Sequence, residues 1–400
     1  MNLQSDVCII GNGVIGKAAA LGFAQSGMSV TLLAPFSGAR TPALPDPAQW
    51  DVRVYALNRV ARALLSSIKV WGALDASRIA PVDAMIVKGD SEQHAGNLAF
   101  DAYSARVDAL AWIVEDGNLN QALDAALRFA PGVKFVAGRA MRLNTSDESA
   151  TILLENGDTL GASLIVGADG GHSWVRGQCD IDMDYRPYGQ RAIVANFSCE
   201  KPHHGVAYQW FTLADGIVAL LPLPGQRVSL VWSAPERLAD ILLRESPDQL
   251  AQRLSLMPDQ RLGQLHPLQP ENVKDFPLAM IRPHDIIASR VALVGDAAHV
   301  VHPLAGHGMN LGFSDVASLL KIIGERGARQ NCGDMRLLAR YVRARKEDIL
   351  LMQLTTDGLE RLFSAEFAPL RIARNIGLNL INKMPVIKRR LITHALGKIL

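Results

Sequence analysis

Val7-Cys8-Ile9-Ile10 is an unbroken apolar run, the form of a strand covered on both faces. Glycines follow it, Lys17 to Ser26 has helical composition, and Ser29-Val30-Thr31-Leu32-Leu33 reads as a second strand, so the chain opens with a βαβ unit. Prolines, with Ser37, Gly38 and Thr41, predict a loop from Ala34 to Trp50. Helices are predicted over Val60–Trp71 and Leu119–Phe129, the second with Leu119, Leu123, Ala126 and Leu127 on one face. The pattern changes from Tyr188 to Ala234. Arg191–Phe197, Val206–Phe211, Ile217–Leu221 and Val228–Trp232 are short β-rich runs between Gly, Pro and Asp, and they predict a separate antiparallel sheet. Residues 236–262 read as one or two helices, Val291-Ala292-Leu293-Val294 as another doubly covered strand, and helical periodicity dominates from Met309 onward.

This order predicts an α/β protein. A Rossmann-like domain opens the chain, an antiparallel-sheet domain interrupts it, a strand near residue 293 closes it, and a helical tail follows. The expected division is 1–80 with 105–180 and 285–350, then 81–104 with 181–284, then a C-terminal tail over 351–400.

Composition fits a globular chain of 400 residues, with 49% apolar and 20% charged, which excludes a largely disordered protein. No stretch reaches the ~18 apolar residues of a membrane span, and Met1 to Asp6 carry no basic segment of a signal peptide, so the expectation is a cytoplasmic protein. Cys8, Cys179, Cys199 and Cys332 lie far apart and form no CxxC pair, which predicts reduced thiols and no metal site. The net charge of +2 hides an asymmetry: Lys321 to Leu400 hold 16 basic against 7 acidic residues. Such an end suits a solvated helical face, an anionic membrane surface or an acidic partner. Nucleic acid fits poorly, because no aromatics interleave the basic residues and no recognition motif appears.

Three motifs carry the candidate chemistry. Gly11-Asn12-Gly13-Val14-Ile15-Gly16 follows a strand and opens a helix. Gly11 allows the turn, Gly13 admits a pyrophosphate to the backbone, and Gly16 lets helix and strand pack closely. The second strand should end in a carboxylate for a ribose hydroxyl, but Leu33-Ala34-Pro35 has none. That contact is worth about 1–3 kcal/mol if nothing replaces it. The second motif is Gly167-Ala168-Asp169-Gly170-Gly171-His172-Ser173 with Arg176, after the strand Leu164-Ile165-Val166. By itself it also reads as a turn with a capping Asp. The third is Gly295-Asp296-Ala297-Ala298-His299, then His302-Pro303-Leu304-Ala305-Gly306-His307-Gly308-Met309-Asn310-Leu311-Gly312 and Asp315. Asp296 can accept from a ribitol or ribose hydroxyl. Gly306 and Gly308 bare a helix start that can face a flat, electron-rich ligand.

The trio resembles the group A flavin monooxygenases of the p-hydroxybenzoate hydroxylase fold. More narrowly, the chain is similar to the ubiquinone-biosynthesis flavin hydroxylases, the UbiH/UbiF/VisC family. The subfamily pattern is met from His302 to Asp315 except at His307, where Gln is usual. Asp51-Val52-Arg53 with Ala56-Leu57, Val114-Glu115 with Asn118-Leu119, Leu220 to Trp232, and Phe367 to Leu378 are also family-like, so the likeness spans nearly the whole chain.

The resemblance implies FAD, with NAD(P)H as transient reductant and O2 as co-substrate, and ring hydroxylation through a flavin hydroperoxide. The discontinuous first domain would be the FAD-binding domain, and the inserted one the substrate domain. It places Gly11, Gly13, Val14, Ile15 and Gly16 at the diphosphate, Arg53 at the FAD chain or isoalloxazine edge, Asp169 near cofactor and nicotinamide, and Asp296 on the ribitol. Pro303 would border the flavin, and Gly306, Gly308, Met309 and Asn310 would cradle the pyrimidine ring. A polyprenyl phenol or quinol would lie under the Tyr188–Trp232 sheet, on an apolar face of Val218, Leu220, Leu223, Leu230 and Trp232; the same residues would equally fill a core. No general base is assignable among His299, His302 and His307, and a protonated His307 would stabilise an anionic reduced flavin.

The tail, with Lys383, Lys388, Arg389 and Arg390 among apolar residues, suits the inner face of the cytoplasmic membrane, other ubiquinone-biosynthesis proteins, or packing on the FAD domain. A homo-oligomer is a further expectation. Two other functions stay open: a soluble aromatic or polyketide hydroxylase, and a degenerate flavoprotein scaffold, for which Ala34 and His307 speak.

Overall fold

The computed structural model describes residues 2–35, 49–89, 96–212, 214–258, 260–269, 272–302, 307–327 and 329–364. Val7, Cys8 and Ile9 are fully buried at the centre of a largely parallel sheet. Its order is Ile287–Ala288, Val291–Leu293, Thr159–Gly167, Asn2–Ile10, Val30–Ala34 and Val133–Ala137. From Val291–Leu293 to Val133–Ala137 every neighbouring pair is parallel. The hairpin strands Ala140–Thr145 and Ala150–Leu154 extend Thr159–Gly167 antiparallel.

Helices Val14–Gln25, Asp116–Arg128 and His307–Gly324 cover this sheet. Lys17, only 8% exposed, reaches from the first to the second of these, to Asn120 Oδ1 at 2.9 Å and Asp124 Oδ1 at 2.7 Å. A small sheet of Val54–Leu57, Ala111–Glu115 and Ile79–Val82 leads out of this layer.

The second large sheet runs Leu265–Pro267, Met183–Cys199, Arg227–Pro235, Gly216–Leu223, Val206–Thr212, Ala84–Lys88 and Asn97–Asp101, with Lys274–Pro283 also on Met183–Cys199. It departs from the expected all-antiparallel form at one pairing: Ala84–Lys88 runs parallel to Val206–Thr212. Two excursions of the chain from the first domain contribute to this sheet, so these strands are not hairpin neighbours. Helices Glu236–Leu242 and Pro247–Ser255 close one face of it. The last described helix runs unbroken from Met335 to Ser364, through the expected boundary at 350/351, and a hydrogen bond from Gln353 Nε2 to the Ile281 carbonyl (3.3 Å) holds it to the second sheet.

Candidate active site

The three motifs lie side by side because the strands that end in them are neighbours. Asn2–Ile10, Thr159–Gly167 and Val291–Leu293 are adjacent and parallel, so the loops at 11–13, 168–171 and 295–297 leave the same edge. Ligands of open α/β sheets bind beyond that carboxyl edge. Gly11 has φ +112°, and a Cβ there would stand 2.2 Å from the Ala168 carbonyl oxygen, so only glycine lets the first and second loops meet. A Cβ on Gly16 would stand 2.0 Å from the Gly11 carbonyl oxygen. Ile15 reaches the third motif, where a Cβ on Gly312 would lie 2.9 Å from its Cδ1. Arg176, 4% exposed, ties the second loop to the third, donating from Nη1 to the Ala297 carbonyl (3.0 Å) and from Nη2 to that of Gly171 (2.7 Å).

Gly13 differs from its neighbours. A Cβ there would meet nothing within 4 Å. It caps helix Val14–Gln25 with no side-chain bond and no acidic residue in the first turn. Free N–H groups and the positive end of the helix dipole therefore face open space, a cradle for a diphosphate. Gly308, at the start of helix His307–Gly324, is equally open. Asp296 is exposed on the cleft, yet the protein around it raises its carboxyl pKa by desolvation, with the charges of His299 and Arg53 opposing. These features fit FAD: an open helix start for the diphosphate, a carboxylate for the ribitol, and a second helix start for the ring. Ala34 pairs with Ala137 and offers no carboxylate.

Arg53 is exposed, with its guanidinium 5.6 Å from the Tyr55 ring and no carboxylate partner among the described residues. Its backbone is fixed from below. Glu115, 1% exposed, accepts from Asp51 N (2.6 Å) and from Arg78 Nε (2.6 Å), and Asp51 Oδ1 accepts from Arg53 N (3.0 Å). This accounts for the pairing of the segments at 51–53 and 114–115.

Two expected cofactor residues turn their side chains toward the protein. Both oxygens of Asp169 accept bonds, from Ser173 Oγ (2.6 Å) and Val175 N (3.0 Å), so it braces the start of helix Trp174–Gln178, whose N-cap is Ser173. Asn310 donates to the Ala56 carbonyl (2.8 Å) and accepts from Asn58 N (2.9 Å), fastening helix His307–Gly324 to the strand Val54–Leu57 that follows Arg53. Val14 is buried, and Ile15 and Met309 pack against the core. Pro303, Gly306 and the side chain of His307 lie outside the described residues.

Beneath the third loop, Asp315 is fully buried and accepts from Gly295 N (2.9 Å) and Arg345 Nε (2.8 Å), with His299 Nε2 at 2.6 Å. Burial alone would raise this carboxyl, but the charges and hydrogen bonds of His299 and Arg345 win, and its pKa is lowered. His302, also fully buried, lies 3.1 Å from Gln190 Oε1 and edge-on to Tyr188 at 4.8 Å. Burial pushes its pKa down to about 4, so it is neutral at physiological pH. The motif at 302–315 signalled Asp315, but its tie to Arg345 and that of His302 to Gln190 span 30 and 112 residues, beyond any local pattern.

The residues read as a substrate face or a core are packed as core. Val218, Leu220, Leu230 and Trp232 pack with Tyr208, Trp210 and the helices Glu236–Leu242 and Pro247–Ser255, closing a core behind the sheet. Leu223 is on the opposite face but packs with Trp50, Ala80, Val82 and Ile113 at the domain junction, fully buried. Side chains alternate along a strand, so the face toward the FAD-binding layer carries Ala192, Val194, Asn196, Gln209, Ala219, Ser229, Val231 and Ser233. Asn196 Nδ2 confirms that orientation by donating to the Asp51 carbonyl at 3.0 Å.

Fold and site together define a FAD-dependent monooxygenase. A model described as FAD binding domain matches residues 120–350. The 3-demethoxyubiquinol 3-hydroxylase of Escherichia coli is 34% identical over 399 residues, covering 99% of each chain. Ubiquinone hydroxylase UbiL of Rhodospirillum rubrum is 33% identical, covering 98% of this chain and 90% of that one. The chain belongs to the FAD-binding monooxygenase family, in the branch of the ubiquinone-biosynthesis hydroxylases. Pseudomonas aeruginosa PqsL, solved with 2-aminobenzoylacetate, shares the fold at TM-score 0.75 and 21% identity, over 94% of this chain and 100% of that one. Klebsiella pneumoniae HpxO, solved with FAD and uric acid, does so at TM-score 0.73 and 18% identity, over 98% and 96%.

Proposed function

We propose that this protein hydroxylates the aromatic ring of a polyprenylated phenol or quinol intermediate of ubiquinone biosynthesis. The observation that carries the reading is the convergence of three separated loops on one edge of the parallel sheet, facing a second sheet across the cleft. The end-to-end likeness to the Escherichia coli and Rhodospirillum rubrum hydroxylases supports the substrate class.

When bound, FAD supplies the chemistry that passes electrons from a reduced nicotinamide to O2 and one oxygen atom to the ring. The chain supplies position and environment. The helix start at Gly13 would hold the diphosphate, Asp296 would accept from the ribitol, and the start of helix His307–Gly324 would turn its positive end to the pyrimidine part of the ring, where negative charge gathers. Exposed Arg53 would contact the FAD chain or the isoalloxazine edge. The second sheet roofs the cleft and keeps water from the reacting atoms. Neutral His302 holds that sheet to the third loop through Gln190 and adds no charge there.

The division into 1–80, 105–180 and 285–350 against 81–104 and 181–284 belongs to this reading. It is supported by Ala84–Lys88 and Asn97–Asp101, which leave the first layer to join the second sheet. A polyprenyl tail resides in the bilayer, so the enzyme would work peripherally at the inner face of the cytoplasmic membrane. Among the described residues no helix is long and apolar enough to cross it. Liposome flotation with and without residues 380–400 tests the contact, and equal flotation removes it.

The decisive experiment is on the purified protein. It is expected to carry FAD that NAD(P)H bleaches without oxygen, and to place one atom of labelled O2 in a prenylated quinol. A protein that stays free of flavin after reconstitution would favour the scaffold reading, which the missing carboxylate at Ala34 motivates.

A further inference from the structure

We infer that Gln209 reads an oxygen substituent of the substrate ring and so sets which ring is accepted. The inference rests on the hydroxylase reading and deepens it. Gln209 is 4% exposed at the centre of the second sheet, between Ala219 on one neighbouring strand and Val87 on the other. Its sequence neighbours Tyr208 and Trp210 stack behind the sheet, with ring centroids 5.7 Å apart, so Gln209 faces the FAD-binding layer. On that face it separates two apolar clusters. One is Ala207 with Trp50, Val82 and Leu223. The other is Val87, Leu98, Phe211 and Ile217.

Among the described residues no hydrogen bond engages the Gln209 amide, and neither of its polar atoms is among the sealed, unpartnered ones, so the amide ends on the open part of this face. An amide that no protein group engages, on a side chain otherwise packed away from water, is free to bond a ligand. Next to it the sheet is not closed. Ala219 and Val231, paired across neighbouring strands, remain half-buried and have small or branched apolar side chains. The next residue pair along the same face, Asn196 with Ser229, leaves Asn196 Oδ1 and Ser229 Oγ buried and also without partners. The face thus combines a low apolar floor, which accepts the flat of a ring, with a strip of unmet polar atoms. An amide both donates and accepts, so it can give a hydrogen bond to a methoxy or carbonyl oxygen and take one from a phenolic hydroxyl. A site built around such a bond discriminates strongly against a ring that lacks it.

The test uses the FAD-loaded full chain and geranyl-substituted benzoquinols carrying zero, one or two methoxy groups. The wild type should prefer one member in product formed per NAD(P)H consumed. Gln209→Leu should reduce that preference at least tenfold and release more hydrogen peroxide, with FAD content unchanged. It should also leave the unfolding midpoint equal or higher, because no protein partner is lost. Gln209→Met, closer in shape, should behave alike and guards against a packing fault. An unchanged preference in both variants would overturn the assignment to Gln209, as would a lowered midpoint in both, the mark of a structural anchor. If the wild type turned over no member of the panel, the quinol reading itself would fall, and this inference with it.

Discussion

Single positions in the first loop separate folding from binding. At Gly11 the backbone is left-handed and a Cβ would strike the Ala168 carbonyl at 2.2 Å, so Gly11→Ala should destabilise the apoprotein by about 1–3 kcal/mol. At Gly13 the space is open, so Gly13→Val should leave apoprotein stability unchanged and weaken FAD binding at least tenfold, because the branched side chain fills the diphosphate cradle. Urea unfolding and flavin-fluorescence titration of the two variants check this pair. A Gly13→Val protein that binds FAD normally would refute the cradle. Spacing alone names both glycines, but only their surroundings assign them opposite roles.

At the scale of elements, the helix His307–Gly324 is placed by two contacts. Gly312 lets it press on Ile15, and Asp315 gathers Gly295 N, His299 and Arg345 into one buried network. Arg345 belongs to the helix Met335–Ser364, so the network also anchors that helix under the flavin loop. Asp315→Ala would leave the Arg345 guanidinium, 2% exposed, without its main partner, at an expected cost of about 3–5 kcal/mol. Flavin should be lost at a lower urea concentration than in the wild type. A variant with wild-type unfolding and full FAD content would show that the loop is held some other way.

Across the whole molecule, the two sheets meet at a few polar points, and one of them responds to pH. His302 titrates near 4 in the folded protein, against an ordinary 6.5, because it is buried. Above 6.5 neither the folded nor the unfolded chain holds this proton, and the group contributes nothing to pH dependence. Below 6.5 the unfolded chain binds it first, so stability falls as pH drops toward 4, by about 2 kcal/mol at pH 5. His302→Asn should lessen the loss of stability between pH 7.5 and pH 5, read from urea midpoints at both values. An equal loss in wild type and variant would assign the acid sensitivity to other groups.

Local information was enough for much of this protein. A doubly covered strand followed by glycines and a helix specifies its own βαβ unit, because burial and left-handed turns leave their mark within a few residues. The three motifs, their order and the interrupted first domain were legible for that reason, as were the second sheet and the family. What the sequence could not settle was which way side chains face once elements pack. Leu220 and Trp232 look like a pocket wall or a core, and the helices Glu236–Leu242 and Pro247–Ser255 make them core; Gln209, in none of the motifs, is on the opposite face and 4% exposed. The motifs name Asp169 and Asn310, but only packing shows that Asp169 accepts from Ser173 Oγ and Val175 N and that Asn310 donates to the Ala56 carbonyl. Strand alternation gives two equivalent faces, and only the layer packed against each decides which is core and which is site.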